Sequence, residues 1–146
     1  MIGREAILEL VPHAGGMCLW EAVDRWDDAG IVLRAGNHRD PAHPLRSDGR
    51  LRAIHLCEYG AQAMAVHGGL LARAGGGSAP PGMLVALRGV VVHVDRIDQL
   101  AGELVGSATV LAQGEASQQY AFAIHHDGML LAEGRAAVML QPGGAG

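Results

Sequence analysis

The hydrophobic and polar positions of the chain predict one long apolar helix. From about Leu51 to Arg73 the residues favour a helix, and the stretch from Gly75 to Pro81 ends it. Apolar residues occupy nearly every face of this segment, so the helix must be covered on all sides. The pattern therefore predicts a central helix that is enclosed by other elements.

Segments typical of strands lie on both sides of the predicted helix. Two of them, Met17 to Val23 and Ile31 to Ala35, are joined by a predicted hairpin turn at Asp27 to Gly30, and Ala6 to Leu10 is predicted to be a short turn or strand. The segments after the helix are Leu84 to Val94, Glu103 to Ala112, Gln118 to His125 and Met129 to Leu140. One long helix and five or six antiparallel strands favour an α+β hotdog fold, in which a curved sheet wraps around the helix and a second subunit covers its remaining face.

Length and charge narrow the class of protein. The 146 residues fit a single domain, residues 1–146, with residues 142–146 as a flexible tail. Eleven basic residues stand against fifteen acidic ones without a basic run, so neither nucleic acid nor an anionic membrane is an expected partner. No signal peptide or membrane-spanning apolar run is present, and we expect a cytoplasmic protein without membrane insertion.

A line of polar residues crosses the apolar helix. His55, Glu58 and Gln62 are spaced so that they share one helix face. If this face is buried, Glu58 must be paired or hydrogen-bonded, or it must become neutral, and each outcome suits a carboxyl group that acts as an acid or orients a partner. The alternative is a salt bridge from Glu58 to a loop arginine such as Arg46 or Arg50, with Gln62 binding backbone groups.

Among the eight histidines, His43 has the most suggestive position. It lies in a Pro-flanked loop shortly before the helix, and His38 lies in the same loop. The histidines and acidic residues lack convincing metal-ligand spacing, and the chain has neither a phosphate-binding loop nor a Gly-x-Ser-x-Gly motif. We therefore expect no metal, and these motifs are consistent with a protein that uses no organic cofactor.

Taken together, these motifs resemble the hotdog-fold 3-hydroxyacyl-acyl-carrier-protein dehydratases, most closely the ApeP-like dehydratases of aryl-polyene and atypical fatty-acid clusters. The matching stretches are Val11-Pro12-His13, Met17 to Val23, His43-Pro44-Leu45, Asp48-Gly49-Arg50-Leu51 and Glu58-Tyr59-Gly60-Ala61-Gln62-Ala63. The chain lacks the Pro-Gly-Val-Leu helix entry of the better-known members. His43 is preferred over His38 because a proline follows it and because its separation from Glu58 is nearer to that expected.

The resemblance implies a dimer with active sites at the subunit interface, formed with a second copy or with a related hotdog subunit. His43 of one chain would remove the proton next to the thioester carbonyl, and Glu58 of the other would protonate the departing β-hydroxyl. Gln62 would hold Glu58 or a water, with His55 as a supporting neighbour. The thioester oxygen would be polarised by backbone N–H groups around Leu51, Arg52 and Ala53.

The implied partner is an acyl carrier protein that carries a phosphopantetheine-linked acyl chain. Two alternatives stay open within the same fold. One is an acyl-thioesterase, in which Glu58 activates water and His43 is dispensable. The other is a non-catalytic subunit that supports an active partner.

Overall fold

The helices and strands follow one another in an order close to that predicted. The computed structural model describes residues 2–10, 18–76, 82–114 and 117–140. The elements are β1 (Ile2–Gly3), α1 (Arg4–Leu10), β2 (Ala22–Asp27), β3 (Gly30–Ala35), 3-10 turns at Asn37–Arg39 and Ala53–His55, α2 (Leu56–Ala74), β4 (Gly82–Val92), β5 (Leu104–Gln113), β6 (Ser117–His126) and β7 (Met129–Leu140).

The strands form one antiparallel sheet in the order β1-β2-β3-β5-β6-β7-β4. The long helix α2 lies against this sheet and contacts β3, β5, β6 and β7. The predicted α+β arrangement of a central helix and an antiparallel sheet is confirmed. Among the described segments, no helix combines the length and the apolar character that crossing a membrane requires.

Three details of the predicted elements are wrong. The sheet has seven strands, because the two-residue β1 pairs with β2. Ala6 to Leu10 belongs to a helix, since its Glu, Ala and Leu residues favour one and Leu10 packs closely against Gly69 of α2. β2 begins at Ala22 rather than Met17, while Met17 itself and the predicted tail lie outside the described residues.

The core fills the space between α2 and the sheet. Alternate residues of β3, β5 and β6 are buried, as expected for strands with one covered face. Two glycines here allow aromatic side chains to approach the backbone closely. A Cβ on Gly106 would overlap the indole ring of Trp20, and one on Gly60 of α2 would lie 2.6 Å from the ring of Phe122. Both aromatic rings therefore pack directly on backbone.

Hydrogen bonds to a later segment of the chain fix the residues just before α2. The buried Asp98 carboxylate accepts a bond from Leu51 N–H at 2.9 Å and pairs with Arg96, and Ala53 N–H donates to the carbonyl of Asp95 at 2.9 Å. The Arg96 guanidinium holds the pKa of Asp98 well below its usual range. This anchoring places the first turn of α2 against the edge of the core.

Candidate active site

Gln62 connects Glu58 to the buried backbone. It is 1% exposed, and its Nε2 donates to Glu58 Oε1 at 3.1 Å. Its Oε1 accepts a bond from Leu19 N–H at 2.8 Å. Gln62 thus contacts both Glu58 and a backbone N–H, the two kinds of partner considered from the sequence. Glu58 itself is half-buried in the first turn of α2.

His43 is joined to α2 through Tyr59. Its Nε2 lies 3.0 Å from the Tyr59 hydroxyl, which donates to Asn37 Oδ1 at 2.7 Å. Asn37 Nδ2 in turn donates to the carbonyl of Leu19 at 2.6 Å. The imidazole and the phenol rings are nearly parallel, with centroids 6.1 Å apart. The loop histidine and the helix therefore share one hydrogen-bonded network.

The environment of His43 favours its neutral form. The residue is only 5% exposed, and burial, followed by the nearby Arg46, lowers the pKa of its imidazole. Its Nδ1 accepts a bond from Leu45 N–H at 3.1 Å, which requires a lone pair on that nitrogen. Burial also raises the pKa of the Tyr59 hydroxyl, so Tyr59 remains protonated.

His38, the other loop histidine, has a different environment. It is fully buried, and its Nε2–H donates to the carbonyl of Leu100 at 2.7 Å. Its Nδ1 has no hydrogen-bond partner among the described residues. Of the two loop histidines, the one that the structure connects to α2 is His43.

Most of the backbone N–H groups predicted to polarise a thioester oxygen already donate hydrogen bonds within the chain. The N–H groups of Leu51 and Ala53 donate to Asp98 and Asp95, as described above, so neither is left to bind a substrate oxygen. Arg52 is exposed just before the 3-10 turn, and His55 is half-buried at its end. This part of the predicted site is therefore not assembled as expected.

One face of α2 is only partly covered by its own chain. Its half-buried residues recur along a single stripe, and we call this the open face of α2, which consists of Cys57, Glu58, Ala61, Ala65 and Gly68. A Cβ placed on Gly68 would meet no atom within 4 Å. Ile54, just before the helix, is 58% exposed. Glu58 thus lies on a surface of small residues beside an exposed apolar side chain.

Arg46, one of the two arginines considered as a salt-bridge partner of Glu58, contacts backbone carbonyls of its own loop. Its guanidinium donates to the carbonyl of Gly49 at 3.1 Å and lies 3.5 Å from that of His38. The described residues contain no group of three or more His, Cys, Asp or Glu side chains arranged to hold a metal ion.

Sequence patterns did not identify three members of this network. Tyr59 directly follows Glu58, but its hydroxyl was not assigned a role, and Asn37 precedes His38 without any motif of its own. Leu19 contributes only its backbone, which has no residue-specific pattern. A search for polar side chains flanking the motif residues would have found Tyr59.

Comparison with known proteins adds independent evidence. The ApeP-like family, described as ApeP dehydratase, matches residues 5–144. The dehydratase heterocomplex ApeI:P from Xenorhabdus doucetiae is 25% identical with a TM-score of 0.83, over 94% of this chain and 91% of that chain. AziG from S. sahachiroi is 17% identical with a TM-score of 0.62, over 90% and 97%. A mutant thioesterase from Staphylococcus aureus is 14% identical with a TM-score of 0.60, over 83% and 93%. No curated protein matches the chain.

The last two likenesses show the fold alone, and it is the hotdog fold that the sequence predicted. The family match extends over nearly the whole chain and includes the helix that carries Glu58 and Gln62. It confirms the resemblance drawn from the sequence. The chain belongs to the ApeP-like dehydratase family.

Proposed function

We propose that this protein dehydrates a 3-hydroxyacyl thioester on an acyl carrier protein to the trans-2-enoyl thioester, in fatty-acid-like or aryl-polyene biosynthesis. The observation that carries the proposal is the bond from the buried Gln62 to the half-buried Glu58 in a chain of this dehydratase family. A carboxyl group fixed by an amide on an otherwise apolar face is suited to deliver a proton to a bound substrate.

In this reaction the base removes the proton on the α-carbon. The electron pair of the broken C–H bond then forms the double bond to the β-carbon. The β-carbon–oxygen bond breaks, and the hydroxyl leaves as water with a proton from Glu58. Each assisted proton transfer of this kind contributes roughly 10²- to 10⁴-fold in rate. The thioester already acidifies the α-position, so this chemistry proceeds without a cofactor.

His43 is the base in this proposal. Its neutral form has a lone pair at Nδ1, which Leu45 N–H binds in the structure. Substrate entry must therefore displace that N–H before His43 can accept a proton. Within one chain the contacts of His43 lead to Tyr59 rather than directly to Glu58. This supports a site in which His43 of one subunit faces Glu58 of another.

Two surfaces support such a shared site. The open face of α2 contains Glu58 among small residues, with Ile54 exposed beside it. Strand β4 ends the strand order, so its outer edge has no neighbouring strand within the described chain, and it exposes Leu87 and Val91 at 40% and 44%. An apolar edge strand of this kind is a template for pairing with another chain. The name of the heterocomplex ApeI:P favours pairing with a related hotdog subunit over pairing with a second copy.

A second candidate function has one specific observation in its favour. Both ring nitrogens of His43 have partners within the chain, so His43 presents no free base as it stands. The chain would then supply Glu58, while the related subunit supplies the base. The two candidates differ in their dependence on His43.

The test is an assay of 3-hydroxyacyl thioesters on a carrier protein with the isolated chain and with its complex, following both enoyl absorbance and free-thiol release. Glu58→Gln is expected to reduce enoyl formation roughly 10²- to 10⁴-fold. Glu103→Gln is the matched control, because Glu103 pairs with Arg34 at the surface, and its loss should leave the rate unchanged. Thiol release without enoyl formation would identify a thioesterase instead.

The same assay separates the two candidates for His43. Loss of activity in both His43→Ala and Glu58→Gln supports the shared His43–Glu58 site. Activity of the complex that survives His43→Ala but not Glu58→Gln assigns the base to the partner subunit. Activity that survives both substitutions, with the complex intact, shows that this chain is not catalytic.

A further inference from the structure

Two series of hydrogen bonds meet at the backbone of Leu19 and connect His43 to Glu58 within one chain. We infer that Asn37 and Tyr59 are positioning residues that fix the orientation of His43, and that the backbone of Leu19 is the common anchor that also aims Gln62 at Glu58. The geometry stands by itself, whereas its importance for catalysis rests on the proposed function.

The first arm of the network runs from the carbonyl of Leu19 through Asn37 and Tyr59 to His43. The carbonyl determines which atom donates in each of its hydrogen bonds. A carbonyl can only accept, so Asn37 must turn its NH₂ group toward Leu19 and its Oδ1 toward Tyr59. The single hydroxyl proton of Tyr59 is then donated to Asn37. The oxygen of Tyr59 must therefore accept from His43, whose Nε2 carries the proton.

The opposite nitrogen of His43 gives the same tautomer independently. Leu45 N–H is a donor only, so Nδ1 must be the acceptor. A neutral imidazole with its proton on Nε2 satisfies both neighbours, while the other tautomer satisfies neither. The imidazole is thus held at both ends, with its Nδ1 lone pair directed at Leu45 N–H before substrate arrives.

The second arm runs from the N–H of Leu19 through Gln62 to Glu58. Leu19 N–H can only donate, which turns Gln62 Oε1 toward it and leaves Nε2 for Glu58. Leu19 is fully buried, so water cannot replace these side-chain partners. The N–H and the carbonyl of a single residue, Leu19, therefore orient both amides, and through them His43 and Glu58.

The Tyr59 contact also acts on proton affinity. A protonated imidazole is a stronger donor than a neutral one, so the Tyr59 oxygen favours the state that forms when His43 takes a proton. This opposes burial, the nearby Arg46 and the bond from Leu45 N–H to Nδ1, all of which favour the neutral state. Tyr59 thereby keeps a buried imidazole usable as a base.

The test is NMR of histidine-¹⁵N-labelled protein across a pH titration, which reports the tautomer and the pKa of His43 without any assay of activity. Wild type is expected to show neutral His43 protonated on Nε2. Tyr59→Phe removes the acceptor and should lower the pKa of His43. Asn37→Asp gives up the bond to the Leu19 carbonyl but places a carboxylate behind Tyr59, and this negative charge should raise that pKa by roughly one unit or more.

The other charged or titratable groups that act on His43 are unchanged in both variants. They are Asp40, Arg46 and His38 in its own loop and His55 before α2. Tyr120→Phe is the matched control, since it also removes a buried hydroxyl bonded to a buried histidine, but at His67. It should leave the pKa and tautomer of His43 as in wild type.

Opposite shifts in Tyr59→Phe and Asn37→Asp support the inference, and Asn37→Asp alone still tests it if Tyr59→Phe fails to fold. Unchanged His43 signals in both variants, or a wild-type His43 protonated on Nδ1, would overturn it. The acid limb of the kcat/KM profile should move with the NMR pKa. If the NMR pKa shifts while that limb stays fixed, the positioning network is right and His43 is not the base.

Discussion

Two buried tyrosine–histidine pairs lie along α2, and they differ in what lies beyond them. At the start of the helix, His43 bonds to Tyr59 at 3.0 Å with the two rings nearly parallel. Farther along, His67 bonds to Tyr120 at 2.8 Å with the rings at 89°. Both histidines are buried, at 5% and 0% exposure, so burial by itself does not distinguish a site residue from a core residue.

The hydrogen-bonded path of the second pair is short. His67 Nε2–H donates to the carbonyl of Asp27 at 2.7 Å, and Tyr120 donates to its Nδ1. That pair satisfies its polar groups locally and connects α2 to the end of β2. The first pair continues through Asn37 and Leu19 to the carboxylate of Glu58. A functional role is indicated by where a polar network leads, rather than by the residue types within it.

The sharpest test of this contrast exchanges each histidine for leucine. His67→Leu leaves the buried Tyr120 hydroxyl without its partner and removes a bond to the carbonyl of Asp27, so it should lower the free energy of unfolding by about 1–3 kcal/mol. The rate per folded molecule should stay the same. His43→Leu should instead lower that rate by roughly 10²-fold or more.

Urea denaturation and the enoyl assay at matched folded concentrations measure the two effects. If His67→Leu reduced the rate per folded molecule as much as His43→Leu, the proposed distinction between the pairs would fail.

The second test concerns the packing behind the first pair. Trp20 packs on Gly106 of β5, donates to the carbonyl of Tyr59 at 2.7 Å, and meets the Tyr59 ring edge-on at 5.2 Å. Gly106→Ala forces the indole to move and should destabilise the protein by about 1–3 kcal/mol. It should also shift the ¹⁵N signals of His43 while leaving those of His67 in place.

Gly68→Ala is the matched control for Gly106→Ala. A Cβ at position 68 has no neighbouring atom within 4 Å, and alanine favours a helix more than glycine does. The isolated chain should gain about 0.5–1 kcal/mol in thermal or urea unfolding. Equal destabilisation by both glycine substitutions would contradict the packing described.

The smallest effect is a pH dependence of stability. Burial lowers the pKa values of His43 and His38, whose unfolded values lie near 6.5. Below about pH 6.5 the unfolded chain therefore binds protons that the folded chain does not, and the free energy of unfolding falls as the pH falls, until the folded pKa values are reached.

Each histidine contributes at most about 1.4 kcal/mol per pH unit in this window. His43→Gln should reduce the slope by up to that amount when urea midpoints are compared between pH 5 and 7. Because the pKa of Asp98 is also lowered, by Arg96, its contribution is lost only at more acidic pH, and it should not affect this comparison. An unchanged slope would show that His43 is equally easy to protonate in the folded and unfolded chain.

Much of the fold could be predicted from the sequence. The helix, its end near Gly75 and the strands after it follow from local residue preferences and from hydrophobic periodicity, and the structure has them within a few residues. The shared face of Glu58 and Gln62 follows from helix geometry alone. The short β1 and α1 were not predicted, because a two-residue strand has too few residues for a pattern and α1 gains stability by packing on α2.

The candidate site was predicted only in part. His43 and Glu58 came from resemblance and spacing, and their chemical roles stay predictions. The predicted thioester-binding N–H groups of Leu51 and Ala53 are used by Asp98 and Asp95, which lie more than forty positions away in the chain. Local patterns contain no information about partners so distant in sequence.

The sequence by itself determined the family, the central helix and the placement of Glu58 one turn before Gln62, because these depend on residue order and on the period of the helix. Only the tertiary structure decided which histidine joins the helix, which nitrogen of His43 carries its proton, and that Leu19 anchors both arms. Hydrogen-bond direction depends on which donors and acceptors meet after folding. That meeting is set by packing rather than by neighbours in the chain.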